Sequence, residues 1–590
     1  MESMIRKYIM FLDDMKKPID QNGIIKIVAV LLVYIILTLI LTYPLILNIT
    51  THFGGIAEDV YWHAWNIWWI KYSIIDLKTN PIFTEYIFYP NGVSLAFSTM
   101  GYIYSLIFIP IQVLFGVITA YNFVVLHTFI LSAFGTFLLV YYLTKNKTAA
   151  FISGFIFAFS PNHIIRTLIH LNLANVQWIP FYVLFLIKLN RENRKRNIIL
   201  ASIFLLFTAL SSWQYLFFLI FLTFIYLLCE IFWVKETKLD KTFLKKFGVF
   251  TILSILLISP FAYPTLREYS ISPLKTGLDL SIVHSADLIS YFIPSPYNTF
   301  RGKYFEHFYQ SFKGPIYDSI TYIGYSVLLL ALYSIFKFKK EAKFWMLSAV
   351  FFFILSLGPI LKILGTTEFF DSKITIPLPY ALFFNYLPFF SAFRTPGRFA
   401  IMVIFCLSIL AGYGIKSILN GMKRRDSRYV FTLMILSIII FEFINIPFPL
   451  SKREIPNFYR QIAEDKEDYA LFEVPSYIAG EFMFYQTLHK KKLVYGRVSQ
   501  MTPSSGGKIA DFITKPLIKE LTYLEINATE MDENYIKSGV DILRESRIKY
   551  IIVNKEFLQK EMIDSLNELL GKALGEPIHE DEYTISYRVF

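Results

Sequence analysis

The sequence predicts an α-helical protein that crosses a membrane about eleven times and carries a small α/β domain at its C-terminus. Of its 590 residues, 55% are hydrophobic and 17% are charged, whereas about a quarter of the residues of a soluble protein are charged. Long apolar stretches alternate with short Lys- and Arg-rich clusters, as in the cytoplasmic loops of membrane proteins. The net charge of +12 resides largely in these clusters, so it predicts membrane orientation and not nucleic-acid binding. From residue 447 onwards the composition becomes polar.

The first span and its flanks set the predicted orientation. Residues 24–47 form an apolar stretch, and the basic residues within 1–23 place the N-terminus in the cytoplasm. The segment 48–121 is then the first outside loop. Within it, residues 101–118 are apolar but short and contain Pro110, so we interpret them as a juxtamembrane or half-inserted helix interrupted by the proline. Counting them as a span would move the later basic clusters outside.

The remaining spans follow from hydropathy and the positions of the basic clusters. They are predicted at about residues 122–143, 148–162, 174–190, 198–212, 215–234, 247–264, 319–336, 344–363, 399–416 and 429–446. The chain therefore divides into a cytoplasmic N-terminus (1–23), a transmembrane domain (24–446) and an extracytoplasmic domain (447–590) of a multi-pass cell-membrane protein.

The tail shows alternating β-rich and helical patterns. These are the β-rich runs Tyr469–Val474, Lys492–Tyr495, Tyr550–Val553 and Tyr583–Phe590, and the helical patterns Asn457–Glu464 and Phe557–Lys572. Strands that alternate with helices predict a small α/β domain.

The strongest local signal lies near the start of the first outside loop. Glu58 and Asp59 directly precede the aromatic run Val60–Trp69. One interpretation is an interfacial helix, whose Trp and Tyr side chains lie at headgroup level and whose acids cap its N-terminus. The other is a reactive carboxylate, because desolvation at an apolar boundary makes a carboxylate a stronger base. The residues alone leave both interpretations open.

An acid just after the first span, a juxtamembrane helix pair, many further spans and a soluble tail resemble the C-type (GT-C) glycosyltransferases. These polytopic enzymes use polyprenyl-phosphate-linked sugars. The resemblance implies a GT-C fold, and Asp59 is the position that matches the family's catalytic acid. By the same resemblance, Asp59 is the general base or the group that orients the acceptor nucleophile, with Glu58 as the alternative.

A second match lies in Phe159–Thr167, which is similar to the family's span that ends in a proline turn followed by an arginine. Arg166 at this position suits a lipid phosphate at the membrane surface. In oligosaccharyltransferases the loop continues into an acidic metal-binding motif, but Leu168–Leu173 contains no carboxylate. We therefore assign no metal ligands, and a divalent metal cofactor is without support from this motif. His163 and His170 are candidates for contacts to a phosphate or a sugar hydroxyl, or ordinary loop residues.

A further pair of candidates is Arg394 and Arg398, in the motif Arg-Thr-Pro-Gly-Arg before the tenth span. They either hold the carrier phosphate or anchor the span by snorkelling. Their outside position, against the positive-inside bias, favours the phosphate role. If the outside loop 265–318 covers the site, it adds His284, Asp287 and Arg301.

These observations predict an inverting glycosyltransferase that moves a sugar from a polyprenyl-phosphate-linked donor to an extracytoplasmic glycan, lipid or protein acceptor. Membrane lipid is the further partner that we expect around the spans. The alternatives are a transporter or flippase of lipid-linked substrates and a non-catalytic membrane scaffold. A transporter requires polar groups within its spans, and the candidates there are Glu230 and Glu442.

Overall fold

The structure is a computed structural model that describes residues 21–56, 59–192, 194–233, 241–271, 273, 276–369, 374–387, 389–525 and 531–590. Helices dominate up to residue 443. They are α1 (Gln21–Leu41), α2 (Asp59–Lys71), α3 (Tyr102–Ile107), α4 (Ile109–Thr144), α5 (Lys147–Ala158), α6 (Pro161–Ile169), α7 (Leu171–Ala174), α8 (Trp178–Arg191), α9 (Lys195–Ser211), α10 (Trp213–Trp233), α11 (Lys241–Ile271), α12 (Leu278–Val283), α13 (Gly302–Ser311), α14 (Ile316–Ser319), α15 (Tyr325–Lys337), α16 (Lys343–Ser356), α17 (Tyr380–Tyr386), α18 (Ala400–Gly421) and α19 (Arg425–Phe443).

Several of these helices can cross a membrane. Among the described residues, five helices are long and apolar enough, and the pair α5 and α6, bent by 42°, is a sixth candidate. The five fall within α4, α7–α8, α10, α11 and the segment Pro396–Gly421. These apolar helices confirm the predicted α-helical polytopic membrane fold. The count of about eleven spans and the orientation of the termini stay predictions.

Helix α18 forms the centre of the helical part. It is apolar around most of its circumference, and α5, α15 and α16 pack against it. A helix with no polar face is stable only where protein or lipid surrounds it, and here protein buries nearly the whole of it. Helix α11 differs, because most of its apolar residues remain exposed.

The predicted half-inserted helix at residues 101–118 is broken at two places. The first break is at Phe108, between α3 and α4, and it places Pro110 in the first turn of α4, where a helix does not need the missing N–H; the predicted interruption at Pro110 is therefore present. The second break comes at Gly116, whose φ of 85° is a conformation that glycine adopts readily. The rest of α4 continues as an uninterrupted span.

The C-terminal part contains a five-stranded mixed sheet in the order β6-β5-β7-β9-β8. The strands among the described residues are β1 (Phe53–Gly54), β2 (Phe83–Thr84), β3 (Val93–Ser94), β4 (Leu450–Ser451), β5 (Ala470–Val474), β6 (Lys492–Leu493), β7 (Ile548–Asn554), β8 (His579–Glu580) and β9 (Thr584–Arg588). The helices are α20 (Asn457–Glu464), α21 (Ala479–His489), α22 (Pro503–Ile513), α23 (Ile518–Tyr523), α24 (Glu533–Glu545) and α25 (Lys560–Leu574). Strand β5 runs parallel to β6 and β7, and β9 is antiparallel to β7. This confirms the predicted small α/β region.

The C-terminal part packs against the first outside loop. Strand β1 pairs with β4, and the backbone of Leu493 bonds to Tyr86 and Tyr89. The Trp65 indole donates a hydrogen bond of 2.6 Å to Gln486 on α21. These contacts bring the segment after β6 next to the N-terminus of α2, where Asp59 lies.

Candidate active site

Asp59 is the first residue of α2, and the aromatic run after it is buried. Every residue from Val60 to Ile70 is enclosed by protein. Trp65 and Trp69 stack at 5.6 Å, and Trp65 bonds to the tail. The burial overturns the interfacial-belt interpretation, because these rings pack inside the protein instead of facing headgroups. The aromatic residues serve to fix the position of the N-terminus of α2.

The Asp59 carboxylate has two basic partners. Arg497, from the tail segment after β6, forms a close ion pair with Oδ1. His170, at the C-terminal end of α6, places Nε2 3.4 Å from Oδ2. The Asp59 side chain is 14% exposed and lines a cavity. We call Asp59, His170 and Arg497 the Asp59 cluster.

His170 approaches Asp59 as a neutral ring. Burial, followed by the nearby guanidinium groups of Arg398 and Arg166, lowers the pKa of His170 well below its usual value. The contact to a carboxylate indicates that Nε2 carries the proton. Nδ1 is buried without a hydrogen-bond partner among the described residues. The ring lies edge-on against Tyr317, with centroids 4.7 Å apart.

A second carboxylate, Asp318, has the same types of partner. Arg166 Nη2 lies 3.0 Å from Oδ1, and His284 Nδ1 lies 2.8 Å from Oδ2. Burial alone would raise the pKa of Asp318, but Arg166 and the hydrogen bond from His284 outweigh it and hold that pKa well below its usual range. We call Asp318, Arg166 and His284 the Asp318 cluster. Its carboxylate side chain is only 1% exposed.

Two of the predicted substrate-binding residues are enclosed. Arg166 is buried and bonds to Asp318, and it is not among the residues that line the cavity. His163 is buried with its ring nitrogens 2.6 Å and 2.8 Å from the carbonyl oxygens of Ala158 and Ala174. The geometry therefore contradicts direct substrate contact by either side chain. Both residues face the interior because α6, which follows the bend at Pro161, is buried over its whole length.

The predicted pair Arg394 and Arg398 lies at the cavity. Arg394 is exposed to it, whereas Arg398 is held by a hydrogen bond of 3.0 Å from Nη1 to Gln214. The Nε of Arg398 has no hydrogen-bond partner among the described residues. A guanidinium with an unused donor beside a cavity is suited to bind an anion.

The cavity has a volume of about 670 Å³ and two chemically different sides. We call it the central cavity. Its polar side is lined by Asp59, His170, Asn172, Gln214, His284, Tyr317, Arg394, Arg398 and Arg497. Its apolar side is lined by Leu216, Phe217 and Ile220 of α10, by Ile258, Ala262 and Leu266 of α11, and by Phe389 and Phe393. Ile220 and Leu266 are about half exposed, so this side is open between α10 and α11.

Sequence reasoning did not assign Arg497 or Asp318 to the site. Arg497 follows Gly496 in the tail, far along the chain from Asp59, and this short pattern fits a carbohydrate-facing surface or an ordinary strand and turn. Asp318 is the last residue before the span predicted at about residues 319–336. A carboxylate next to an apolar stretch was the available signal for Asp318.

The remaining candidates lie elsewhere. Glu58 lies outside the described residues. Arg301 donates to the carbonyl of Glu442 at 3.0 Å. The Glu442 carboxylate itself accepts from the backbone N–H groups of Tyr325 and Ser326 at the start of α15. It is therefore a helix cap and does not line a transport pathway. No group of three or more His, Cys, Asp or Glu among the described residues is arranged to hold a metal ion, and the metal requirement stays untested.

Residues 30–440 match a family described as a domain of unknown function (DUF6311). The chain belongs to this family. No curated protein matches it in sequence.

Solved structures of three membrane proteins are similar to this chain. The apo oligosaccharyltransferase of Archaeoglobus fulgidus has a TM-score of 0.53 at 12% identity, covering 93% of this chain and 71% of its own. The mycobacterial arabinofuranosyltransferase AftD has a TM-score of 0.54 at 12% identity, covering 95% of this chain and 40% of its own. ArnT from Cupriavidus metallidurans, in the apo state, has a TM-score of 0.50 at 9% identity, covering 97% and 99%. These similarities confirm the GT-C fold that the sequence predicted.

Proposed function

We propose that this chain is an inverting glycosyltransferase that moves a sugar from a polyprenyl-phosphate-linked donor to an extracytoplasmic acceptor. One observation carries the proposal: Asp59 and the arginine pair Arg394 and Arg398 line one cavity that continues into an apolar groove. A carboxylate, cations and an apolar channel are the groups that a lipid-linked sugar phosphate and its acceptor require.

The apolar side of the central cavity is suited to the lipid. The groove lies between α10 and α11, both of which are apolar enough to span a membrane. Its half-exposed residues Ile220 and Leu266 present apolar surface that a polyprenyl chain would cover. A polyprenyl chain in this groove would direct its phosphate towards the polar side, where Arg394 and Arg398 lie.

The tail lines part of the cavity. Arg497 and the next three residues, Val498, Ser499 and Gln500, all contribute to its wall. An acceptor bound in the cavity would therefore contact both the tail and the helical part. This arrangement supports acceptor binding by residues of the C-terminal region.

The ion pair with Arg497 defines the role of Asp59. A guanidinium next to a carboxylate stabilises its charge and weakens it as a base. While the ion pair with Arg497 is intact, Asp59 therefore orients the acceptor hydroxyl. When the acceptor displaces Arg497, Asp59 accepts the proton of that hydroxyl. The acceptor oxygen attacks the anomeric carbon, and the lipid phosphate leaves towards the arginines. Positioned bases of this kind accelerate reactions by about 10²–10⁴-fold.

Fold analogy gives further support, since two of the similar structures are by name glycosyltransferases. A fold alone does not determine an activity, so the site residues carry the argument.

The transporter alternative is weakened, because Glu442 caps the start of α15 and is no longer a candidate for a transport pathway. We expect liposomes that contain the chain to show no movement of a fluorescent lipid-linked sugar across the bilayer.

The test uses the full-length chain in nanodiscs with a panel of polyprenyl-phosphate-linked sugars and a cell-envelope extract as the source of acceptor. Release of free polyprenyl phosphate, measured by mass spectrometry, reports transfer of any sugar. We expect Asp59→Asn to slow the release by about 10²–10⁴-fold without changing the melting temperature.

The matched control is Asp76→Asn. Asp76 lies just after α2 and forms an ion pair of 2.7 Å with Lys71, away from the central cavity. We expect its release rate to equal that of the wild type. Unchanged release by Asp59→Asn, or no release by the wild type from any donor in the panel, would refute the proposed function.

A further inference from the structure

We propose that His284 is a further catalytic residue, which donates a hydrogen bond from Nε2 to the departing lipid phosphate, and that Asp318 and Arg166 are its positioning residues. This inference rests on the proposed function and deepens it. It explains why Arg166 is buried behind the cavity instead of lining it.

The hydrogen bond to Asp318 fixes the orientation of the His284 ring. Nδ1 lies 2.8 Å from the carboxylate, which only accepts hydrogen bonds in its ionised form, so Nδ1 carries a proton. His284 also lines the central cavity, together with Arg394 and Arg398. Nε2 is the ring nitrogen left to face substrate. A hydrogen bond donated from each ring nitrogen requires a proton on both, and Asp318 on one side and a phosphate on the other are two anionic acceptors for such a pair of donors.

The loop around His284 is held by a second buried charge. Lys362 is almost fully buried, and its ammonium group donates to the carbonyl oxygens of Ser285 at 2.8 Å and Lys313 at 3.0 Å. It also lies 3.4 Å from the carbonyl oxygens of Ile282 and Val283. The backbone on both sides of His284 is therefore fixed by one cation.

The same loop is joined to the arginine turn. The backbone N–H of Gly397 donates to the carbonyl oxygen of His284 at 3.0 Å. A Cβ on Gly397 would lie 2.8 Å from the carbonyl oxygen of Asp318 and 3.0 Å from that of His284, so only glycine permits this approach. The turn that carries Arg394 and Arg398 is thus positioned directly on the backbone of the Asp318 cluster.

Buried charged groups require a reason. Ion pairs removed from water are often no more stable than apolar residues of the same volume. Arg166, Asp318 and Lys362 are all buried, yet they converge on one loop whose histidine faces the cavity. Such groups are expected where a reactive side chain must be held in one orientation.

The role of His284 is consistent with the proposed reaction. The acceptor oxygen forms a bond to the anomeric carbon, and the bond from that carbon to the phosphate oxygen breaks. Its electron pair leaves with the polyprenyl phosphate, and the acceptor proton goes to Asp59. The Nε2–H of His284 stabilises the charge that develops on the phosphate, as Arg398 does.

The experiment compares two substitutions that separate the nitrogens of the ring. His284→Asn keeps a donor towards Asp318 and removes the donor that faces the cavity. His284→Gln places an amide donor towards the cavity. The full-length chain in nanodiscs is titrated with farnesyl phosphate and with farnesol, which has the same tail and no phosphate. His307→Asn, at an exposed histidine on α13, is the control.

We expect His284→Asn to weaken farnesyl phosphate binding by about tenfold, with farnesol binding unchanged. His284→Gln should retain most of the affinity, which a purely structural role towards Asp318 would not produce. If His284→Asn binds farnesyl phosphate as the wild type does while Arg398→Gln does not, this inference alone is refuted. If the wild type binds farnesyl phosphate no better than farnesol, both the inference and the proposed function are refuted.

Discussion

The Asp59 cluster and the Asp318 cluster contain the same three chemical groups in different surroundings. Each carboxylate pairs with one arginine and one histidine. The Asp59 side chain is 14% exposed and lines the central cavity, whereas the Asp318 side chain is 1% exposed and lies behind it. The same ion-pair chemistry therefore serves two purposes. At the cavity surface the ion pairs control the charge of the Asp59 carboxylate, which can contact substrate. In the interior they hold the side chains of Arg166 and His284 in place.

The largest expected effect is a difference between the two clusters in how much they contribute to the free energy of unfolding. Asp318→Ala leaves the buried Arg166 without its partner, and breaking a buried pair in this way destabilises proteins by about 3–5 kcal/mol. Asp59→Ala removes a partly exposed partner and should change the free energy of unfolding by less than about 1 kcal/mol. Denaturant titration of the two variants in the same detergent measures both. Equal losses would show that the clusters do not differ in role.

The next largest effect distinguishes Arg398 from Arg166 by the KM for the lipid-linked donor. Arg398→Gln removes a guanidinium that lines the cavity, so we expect the KM for the lipid-linked donor to rise by about tenfold or more, at nearly unchanged melting temperature. Arg166→Gln should do the reverse, with a lower melting temperature and a smaller change in KM. A rise in KM for Arg166→Gln alone would restore Arg166 as a direct phosphate ligand.

A smaller effect concerns the cation that pairs with Asp59. Arg497→Ala removes the charge that weakens this carboxylate as a base. We expect the acid limb of the pH–rate profile to move to higher pH, with a change of a few-fold in the rate at neutral pH. Arg497→Lys keeps the charge and serves as the control. A profile that does not move would show that Arg497 does not influence the reacting group.

A further effect separates the clusters by pH. The pKa of His170 is lowered in the folded chain, so its contribution to stability is present above the unfolded value of about 6.5. It is lost as the pH falls below that value, by up to about 1.4 kcal/mol per pH unit. Asp318 has a lowered pKa, and its contribution persists until the pH falls below the ordinary carboxyl range. Melting temperatures between pH 7.5 and 5 should therefore fall. His170→Gln should reduce that fall only in part, because burial also lowers the pKa of His63 and of His489.

The sequence was sufficient for features that depend on local pattern. The helix Asn457–Glu464 and strands close to the four predicted β-rich runs are present, because hydrophobic periodicity is a local property. Asp59, which the resemblance to GT-C enzymes selected, and Arg398, which its position outside the membrane selected, line the same cavity.

Features that depend on lateral packing were not predictable. The partner of Arg166 is Asp318, 152 residues away, and the partner of Asp59 is in the tail. Hydropathy places each residue at a depth in the membrane but does not say which helices are neighbours. The aromatic residues of α2 were ambiguous for the same reason, because a buried helix and an interfacial helix have the same composition.

The most direct test is a cryo-EM structure of the full-length chain in nanodiscs with a polyprenyl phosphate. We predict density for the lipid between α10 and α11, with its phosphate within hydrogen-bonding distance of Arg394 or Arg398 and in the same cavity as Asp59. A lipid phosphate bound at another surface, with the central cavity closed to it, would contradict the account.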